Sequence, residues 1–139
     1  MNPQALDMKT GKPILLIAED DPDQSDMLKE TLEDEGYAVE TAFSGETAFH
    51  KLLKHQYDLA ILDIRMPGMY GSDVLRQYRK QEKDKHLPVV VVSAFATAVD
   101  MERYRADGAD ACFSKPYNLD ELIKKVSEYV QRNGGRNGL

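Results

Sequence analysis

Four apolar runs of strand length each end in a polar or charged residue, and this feature restricts the fold more than any other. The clearest run, 59–62, leads directly into Asp63, and a Pro67-Gly68 turn follows shortly after. The other runs and the residues that end them are 14–18 with Glu19 and Asp20, 89–92 with Ser93, and 111–114 with Lys115. Because parallel strands present their carboxyl ends at one edge of a sheet, we expect one polar site there.

Segments with helical spacing of apolar residues alternate with these runs along the whole chain. The first such helix begins after Asp21-Pro22, and its predicted inward face includes Met27, Leu28 and Leu32. Five βα units in succession predict an α/β domain with a parallel sheet and helices on both faces. The four consecutive valines, 89–92, show no alternation, as expected for a strand buried on both faces.

One domain accounts for the length of the chain. We predict a single domain over 13–131, a flexible N-terminal extension over 1–12, and a flexible tail or the start of a linker over 132–139, where three glycines and two asparagines occur. The first helix has its own start signal: Asp21 precedes Pro22, and Gln24 stands three residues on, which is typical of an N-cap.

Composition excludes several classes of protein. The net charge of −6 is unfavourable for nucleic-acid binding. A single cysteine, Cys112, permits no internal disulfide and fits a reducing compartment. No apolar run approaches the roughly 18 residues that a membrane span needs, and the N-terminus lacks the apolar segment of a signal peptide. We therefore expect a soluble, cytoplasmic protein with no membrane partner.

The residues at the predicted sheet edge suit phosphoryl chemistry. Clustered carboxylates such as Glu19, Asp20 and Asp63 repel one another unless a cation joins them. Oxygen ligands favour Mg²⁺, with Mn²⁺ as an alternative ion. A lysine, Lys115, and a hydroxyl donor, Ser93, complete a set that can receive a phosphoryl group on a carboxylate.

Over residues 13–130 the chain resembles the receiver domains of two-component response regulators. The resemblance is carried by four motifs in the family's order: 19–21 (Glu-Asp-Asp), 62–68 (Leu-Asp-Ile-Arg-Met-Pro-Gly), 92–94 (Val-Ser-Ala) and 114–116 (Ser-Lys-Pro). It implies a flavodoxin-like fold with five helices and a five-stranded parallel sheet in the order 2-1-3-4-5. It also implies a phosphorylation-controlled switch with weak self-catalysed phosphorylation and dephosphorylation, not a metabolic enzyme.

The resemblance assigns a role to each site residue. Asp63 is the expected phosphoacceptor, Lys115 is expected to pair with the phosphoryl oxygens, and Ser93 to hydrogen-bond one of them. The expected ligands of Mg²⁺ are the carboxylates of Asp20 and Asp63, the backbone carbonyl of Arg65, and Glu19 through a metal-bound water. A cis peptide bond is expected before Pro116.

Partners and output are implied in the same way. The phosphoryl donor is expected to be a histidine kinase or a histidine phosphotransfer protein. The expected output surface is the face of the fourth helix, fifth strand and last helix, with Tyr104, Tyr117 and Glu121 as exposed members, which contacts a downstream protein or a second copy of the chain.

The sequence departs from the family at the position three residues before Lys115, where an aromatic residue is usual and Cys112 stands here. Either the aromatic is absent or Phe113 takes part of its role. Arg65 and Phe95 are expected to border the phosphoryl group and to control water access.

Two rival functions stay open at this point. A phosphatase of the haloacid-dehalogenase type also uses a strand-end aspartate, but it needs a general acid two residues later, where Arg65 stands. A pseudo-receiver would be a binding scaffold that is never phosphorylated.

Overall fold

The computed structural model describes residues 7, 9–82 and 85–138, with side chains described up to 132. Most of the predicted N-terminal extension, residues 1–6 and 8, therefore lies outside the described residues. The chain alternates strands and helices in this order: β1 Ile14–Ala18, α1 Pro22–Asp34, β2 Ala38–Ala42, α2 Gly45–Lys54, β3 Leu59–Asp63, α3 Gly71–Gln81, β4 Val89–Ala94, α4 Ala98–Asp107, β5 Ala111–Lys115 and α5 Leu119–Gly138.

The five strands form one parallel sheet in the order β2-β1-β3-β4-β5, which confirms the predicted flavodoxin-like topology. The register aligns the carboxyl ends of the three central strands: Ala18 pairs with Leu62, and Asp63 pairs with Val92. The residues that follow β1, end β3 and lie near the end of β4 therefore meet at one edge of the sheet.

Two apolar layers form the core, one on each face of the sheet. Val89 and Val91 face the layer that contains residues of α2 and α3, whereas Val90 and Val92 face the layer that contains residues of α1 and α5. All four valines are almost fully buried. This explains the run without alternation, since each valine side chain that leaves water contributes roughly 1.5–3 kcal/mol.

A side-chain cap marks where the first helix begins. Asp21 caps α1, with its carboxylate 3.0 Å from the Asp23 amide and Pro22 as the first helical residue, as predicted. The inward face of α1 consists of Ser25, Leu28 and Leu32, while Met27 is 53% exposed. The prediction that Met27 faces the core was wrong, because the buried face follows positions 25, 28 and 32 and leaves position 27 to one side.

The last helix is longer than the sequence indicates. The α5 backbone continues to Gly138, past the predicted domain end at residue 131, and the flexible tail over 132–139 stays a prediction. Within the described ranges, every helix is too short or too polar to traverse a lipid bilayer.

Candidate functional site

Three carboxylates converge at the carboxyl edge of the sheet. Glu19 and Asp20 directly follow β1, Asp63 ends β3, and one carboxylate oxygen of each lies within 4.8 Å of the other two. Glu19 and Asp63 are buried, whereas Asp20 is exposed. The predicted cluster therefore forms, with two acids held inside and one facing solvent.

Backbone contacts position Asp63. Its Oδ1 accepts a hydrogen bond of 3.0 Å from the Arg65 amide. The start of α3 packs so closely against this strand end that a Cβ on Gly71 would lie 2.1 Å from the Asp63 carbonyl oxygen. Only a residue without a side chain permits this approach, so Gly71 allows the β3–α3 connection to fold back beside the acid.

Lys115 reaches the cluster from the end of β5. Its Nζ lies 2.6 Å from Asp63 Oδ2 and 2.6 Å from Glu19 Oε1. A third acceptor, Gln24 Oε1, lies 2.9 Å away. The Lys115–Pro116 peptide bond is cis, as predicted.

The contact between Gln24 and Lys115 was missed by the sequence analysis. Gln24 stands three residues after Asp21, the spacing of a capping pair. From the sequence, Gln24 was therefore interpreted as part of a helix cap and assigned no contact with the site. In the structure the Gln24 side chain does not bond the backbone of Asp21. It donates instead to Asp21 Oδ2 at 3.0 Å and faces Lys115 with its oxygen.

The charges of the site are unbalanced. The cluster holds three carboxylates, and the one ammonium contacts only Glu19 and Asp63, which leaves an excess of negative charge at this edge. Burial, together with the nearby Asp63 charge, raises the pKa of Glu19 to about 7. Burial alone would lower the pKa of Lys115, but its hydrogen bonds to Asp63 and Glu19 outweigh this, so the pKa is raised and the amine stays charged.

The Ser93 hydroxyl and the Arg65 side chain lie beside the cluster without joining it. Ser93 is buried in β4, the strand next to β3, and within the described part of the chain its hydroxyl makes no hydrogen bond to the carboxylates. The Arg65 side chain is exposed and, with Asp20 and Tyr70, lines an open groove of about 710 Å³. This groove gives solutes access to the exposed side of the cluster.

Cys112 and Phe113 point to opposite faces of the sheet. Cys112 is half-buried against the layer that contains α3 residues, and its Sγ lies 3.8 Å from the Met101 carbonyl oxygen. Phe113 packs into the other layer, with its ring 6.3 Å from that of Tyr117. Phe113 therefore cannot occupy the space beside Cys112, and an aromatic side chain is missing from that position of β5.

The predicted output residues are only partly exposed. Glu121 is exposed, but Tyr104 packs against one core layer and Tyr117 against the other. The prediction that both tyrosines are exposed was wrong, because each ring covers the edge of an apolar layer. Two apolar side chains are more exposed: Phe95 (87%) in the loop before α4, and Val99 (66%) in the first turn of α4.

Comparison with known proteins places these features in a family. Residues 15–127 match the profile of the response regulator receiver domain. The transcriptional regulatory protein TctD of Salmonella typhimurium is 36% identical over 122 residues, which cover 88% of this chain and 54% of TctD. The response regulator ArlR of Staphylococcus aureus is 30% identical over 118 residues, which cover 85% of this chain and 52% of ArlR. The chain thus spans about half the length of these curated relatives.

Solved structures agree with the sequence comparison. The receiver domain of the Francisella response regulator 1452 superposes with a TM-score of 0.82 and 30% identity, covering 87% of this chain and 98% of that one. A CheY-like receiver domain protein of Methanospirillum hungatei gives a TM-score of 0.82 and 29% identity, covering 90% and 98%. With its strand order, its acidic edge and these relatives, the chain belongs to the family of response regulator receiver domains.

Proposed function

We propose that this receiver domain accepts a phosphoryl group on Asp63 in a Mg²⁺-dependent reaction and thereby switches a protein-binding surface. The observation that carries the proposal is the surroundings of Asp63. Its carboxylate is buried at a strand end, 2.6 Å from a lysine ammonium and beside two further acids within 4.8 Å. A cluster of buried charged side chains such as this one contributes little to stability, because burying each charge costs desolvation free energy. Its presence therefore favours a functional role.

The donor set fits a hard divalent cation. Glu19, Asp20 and Asp63 offer three carboxylate oxygens close enough to share one ion, and Asp20 leaves one side open to water and phosphate. We assign the remaining protein ligand of the ion to the backbone carbonyl of Arg65. Glu19 would contact the ion through a bound water molecule. When bound, Mg²⁺ supplies positive charge that offsets the negative charge of the phosphoryl oxygens.

The transfer forms one bond to phosphorus and breaks another. An Asp63 oxygen attacks the phosphorus of a phosphohistidine in line, the P–N bond breaks, and its electron pair stays on the imidazole nitrogen, which takes up a proton. Lys115 pairs with the phosphoryl oxygens as charge develops on them, and Ser93 donates a hydrogen bond after its side chain turns inward. The product is a mixed anhydride that water later hydrolyses.

A histidine kinase or a histidine phosphotransfer protein is the proposed donor. The proposed output surface is the α4–β5–α5 face, where Phe95 and Val99 supply exposed apolar area and Glu121 supplies charge. A downstream protein or a second copy of the chain is expected to bind there. Switching by a covalent group makes the domain a signalling element rather than an enzyme that turns over a metabolite.

Two alternatives are opposed by specific residues. A haloacid-dehalogenase type phosphatase requires a carboxylic acid as general acid two residues after the nucleophile, and this chain has Arg65 there instead, which cannot serve. A pseudo-receiver that only binds partners would have no use for a lysine bonded to two buried acids.

Intact-mass spectrometry after incubation with acetyl phosphate tests the proposal. The wild-type protein is expected to gain the mass of one phosphoryl group when Mg²⁺ is present and to gain none in a chelator. The Asp63→Asn variant should stay unmodified, while Asp120→Asn, an exposed acid on α5, should behave as wild type. An unchanged wild-type mass, or equal modification of Asp63→Asn, would refute the proposal and favour the scaffold.

A further inference from the structure

All three protons of the Lys115 ammonium have an acceptor in the resting site. Two acceptors are the carboxylates of Asp63 and Glu19, and the third is the amide oxygen of Gln24 at 2.9 Å. A lysine ammonium has three donors and no acceptor, so these bonds fix the direction of all three N–H groups. Gln24 is the only uncharged member of the three.

The orientation of the Gln24 amide is determined by its two neighbours. Its nitrogen donates to Asp21 Oδ2 at 3.0 Å, and its oxygen accepts from Lys115. The reversed amide would place N–H groups against an ammonium and oxygen against a carboxylate, and both contacts would be repulsive.

These bonds close a ring. The Asp21 amide donates to Glu19 Oε2 at 3.2 Å, Gln24 donates to Asp21, and Lys115 donates to both Gln24 and Glu19. Asp21 is held in turn by its N-cap bond from the Asp23 amide at 3.0 Å. The first turn of α1 is thereby tied to the end of β5, 91 residues later in the chain.

We propose that Gln24 is a positioning residue for phosphoryl transfer, which keeps the Lys115 ammonium directed at the position of the incoming phosphoryl group. The inference rests on the proposed function of Asp63. Transfer converts the Asp63 carboxylate to a mixed anhydride and weakens it as an acceptor, whereas the amide of Gln24 is unchanged by the reaction. Gln24 therefore holds Lys115 through the step in which the other bonds are exchanged.

The neutrality of Gln24 matters as much as its oxygen. The site already carries three carboxylates against one ammonium. A carboxylate at position 24 would place an oxygen against Asp21 Oδ2, where the Gln24 amide now donates, and it would also repel the dianionic phosphoryl donor. An amide accepts the ammonium proton without adding to that repulsion.

Two substitutions separate these effects. Gln24→Leu has similar size and no acceptor, and we expect its phosphorylation rate by acetyl phosphate in saturating Mg²⁺ to fall about three- to tenfold, the size expected for one partly exposed bond to a charged group. Gln24→Glu keeps an acceptor for Lys115 but replaces the donor to Asp21 with a second negative charge, so its rate should fall at low ionic strength and recover as salt rises. Gln77→Leu, an exposed glutamine on α3, is the matched control and should match wild type.

The ring predicts that Asp21 and Gln24 act together. Asp21→Ala should slow phosphorylation in the wild-type background, because it frees the Gln24 amide. In the Gln24→Leu background the same change should alter only the stability of α1, so the two effects on rate should be less than additive.

A readout that needs no phosphorylation completes the test. In the Mg²⁺-free protein, the Lys115 NH₃⁺ signal should be visible in lysine-selective ¹H–¹⁵N spectra, because bonded protons exchange slowly with water. Gln24→Leu should broaden it and Gln77→Leu should not. Rates equal to wild type for Gln24→Leu, or an unchanged Lys115 signal, would overturn the inference alone. Absence of phosphorylation in the wild-type protein would instead overturn the proposed function, and this inference with it.

Discussion

Removal of the Lys115 charge should destabilise the metal-free protein strongly and the Mg²⁺-bound protein weakly. In Lys115→Met, the buried carboxylates of Glu19 and Asp63 lose the ammonium that contacts both. Their oxygens lie within 4.8 Å of each other. At an effective dielectric constant of about 20, this repulsion amounts to about 3.5 kcal/mol or more. Breaking one partner from a buried ion pair typically costs 3–5 kcal/mol, which agrees.

The assay is urea and thermal unfolding in a chelator and in saturating Mg²⁺. Because Lys115 holds the Glu19 pKa down to about 7 in the wild-type protein, the pKa rises further in Lys115→Met, and the assay should be run as a pH series extending well above 7 so that proton uptake does not relieve the repulsion. For a chain of this size, the expected loss corresponds to a Tm lower by about 10 °C in the chelator. Mg²⁺ supplies the missing positive charge, so we expect the deficit to fall by more than half when it is bound.

Lys124→Met is the matched control, since Lys124 is an exposed lysine on α5. It should unfold within about 0.5 kcal/mol of wild type in both conditions. The reasoning fails if Lys115→Met is equally unstable with and without Mg²⁺, because its effect would then come from lost packing and not from unbalanced charge.

Three further predictions follow from the described contacts. Burial and the Asp63 charge raise the pKa of Glu19 from 4.5 to about 7, so the native state binds this proton more tightly than the unfolded state. Without Mg²⁺, the free energy of unfolding should therefore fall as the pH rises from 4.5 to about 7. The same dependence on pH in Glu19→Gln would contradict this prediction. Replacing both Arg65 and Phe95 by alanine should admit water to the phosphoryl group and shorten the half-life of the phosphorylated protein. An unchanged hydrolysis rate would contradict this prediction. Gly71→Ala places a Cβ 2.1 Å from the Asp63 carbonyl oxygen and should lower the free energy of unfolding in urea by about 3 kcal/mol. An unfolding midpoint equal to that of wild type would show that the β3–α3 connection can shift to accommodate the Cβ.

Much of the fold was predictable because its signals are local or repeat along the chain. The valines of β4 indicate a strand buried on both faces, and Asp21-Pro22 indicates the start of α1. Parallel strands place the carboxyl ends that carry Asp63, Glu19 and Lys115 at one edge of the sheet, and the resemblance to receiver domains implies the strand order that brings them close. The convergence of residues far apart in sequence was thus predictable from the parallel sheet together with that resemblance.

The sequence predictions were wrong or incomplete where one local pattern is compatible with more than one position of a side chain. Met27 and Leu28 are both apolar and adjacent, and only packing against the sheet decides which of them is buried. Tyr104 and Tyr117 were expected to be exposed because the resemblance places them on the output face, yet their rings cover apolar edges. Gln24 fits a capping pair in the sequence, and its contact with a lysine 91 positions away has no local signal.

Locating the phosphoryl group tests the central claim most directly. The protein should be incubated with acetyl phosphate and Mg²⁺, treated with borohydride to reduce the acyl phosphate, and digested for peptide mapping. The account predicts that the reduced side chain, a homoserine, stands at position 63 and nowhere else in the mapped sequence. Reduction at Asp20 or Glu19, or a phosphoryl group retained on a serine, would contradict it.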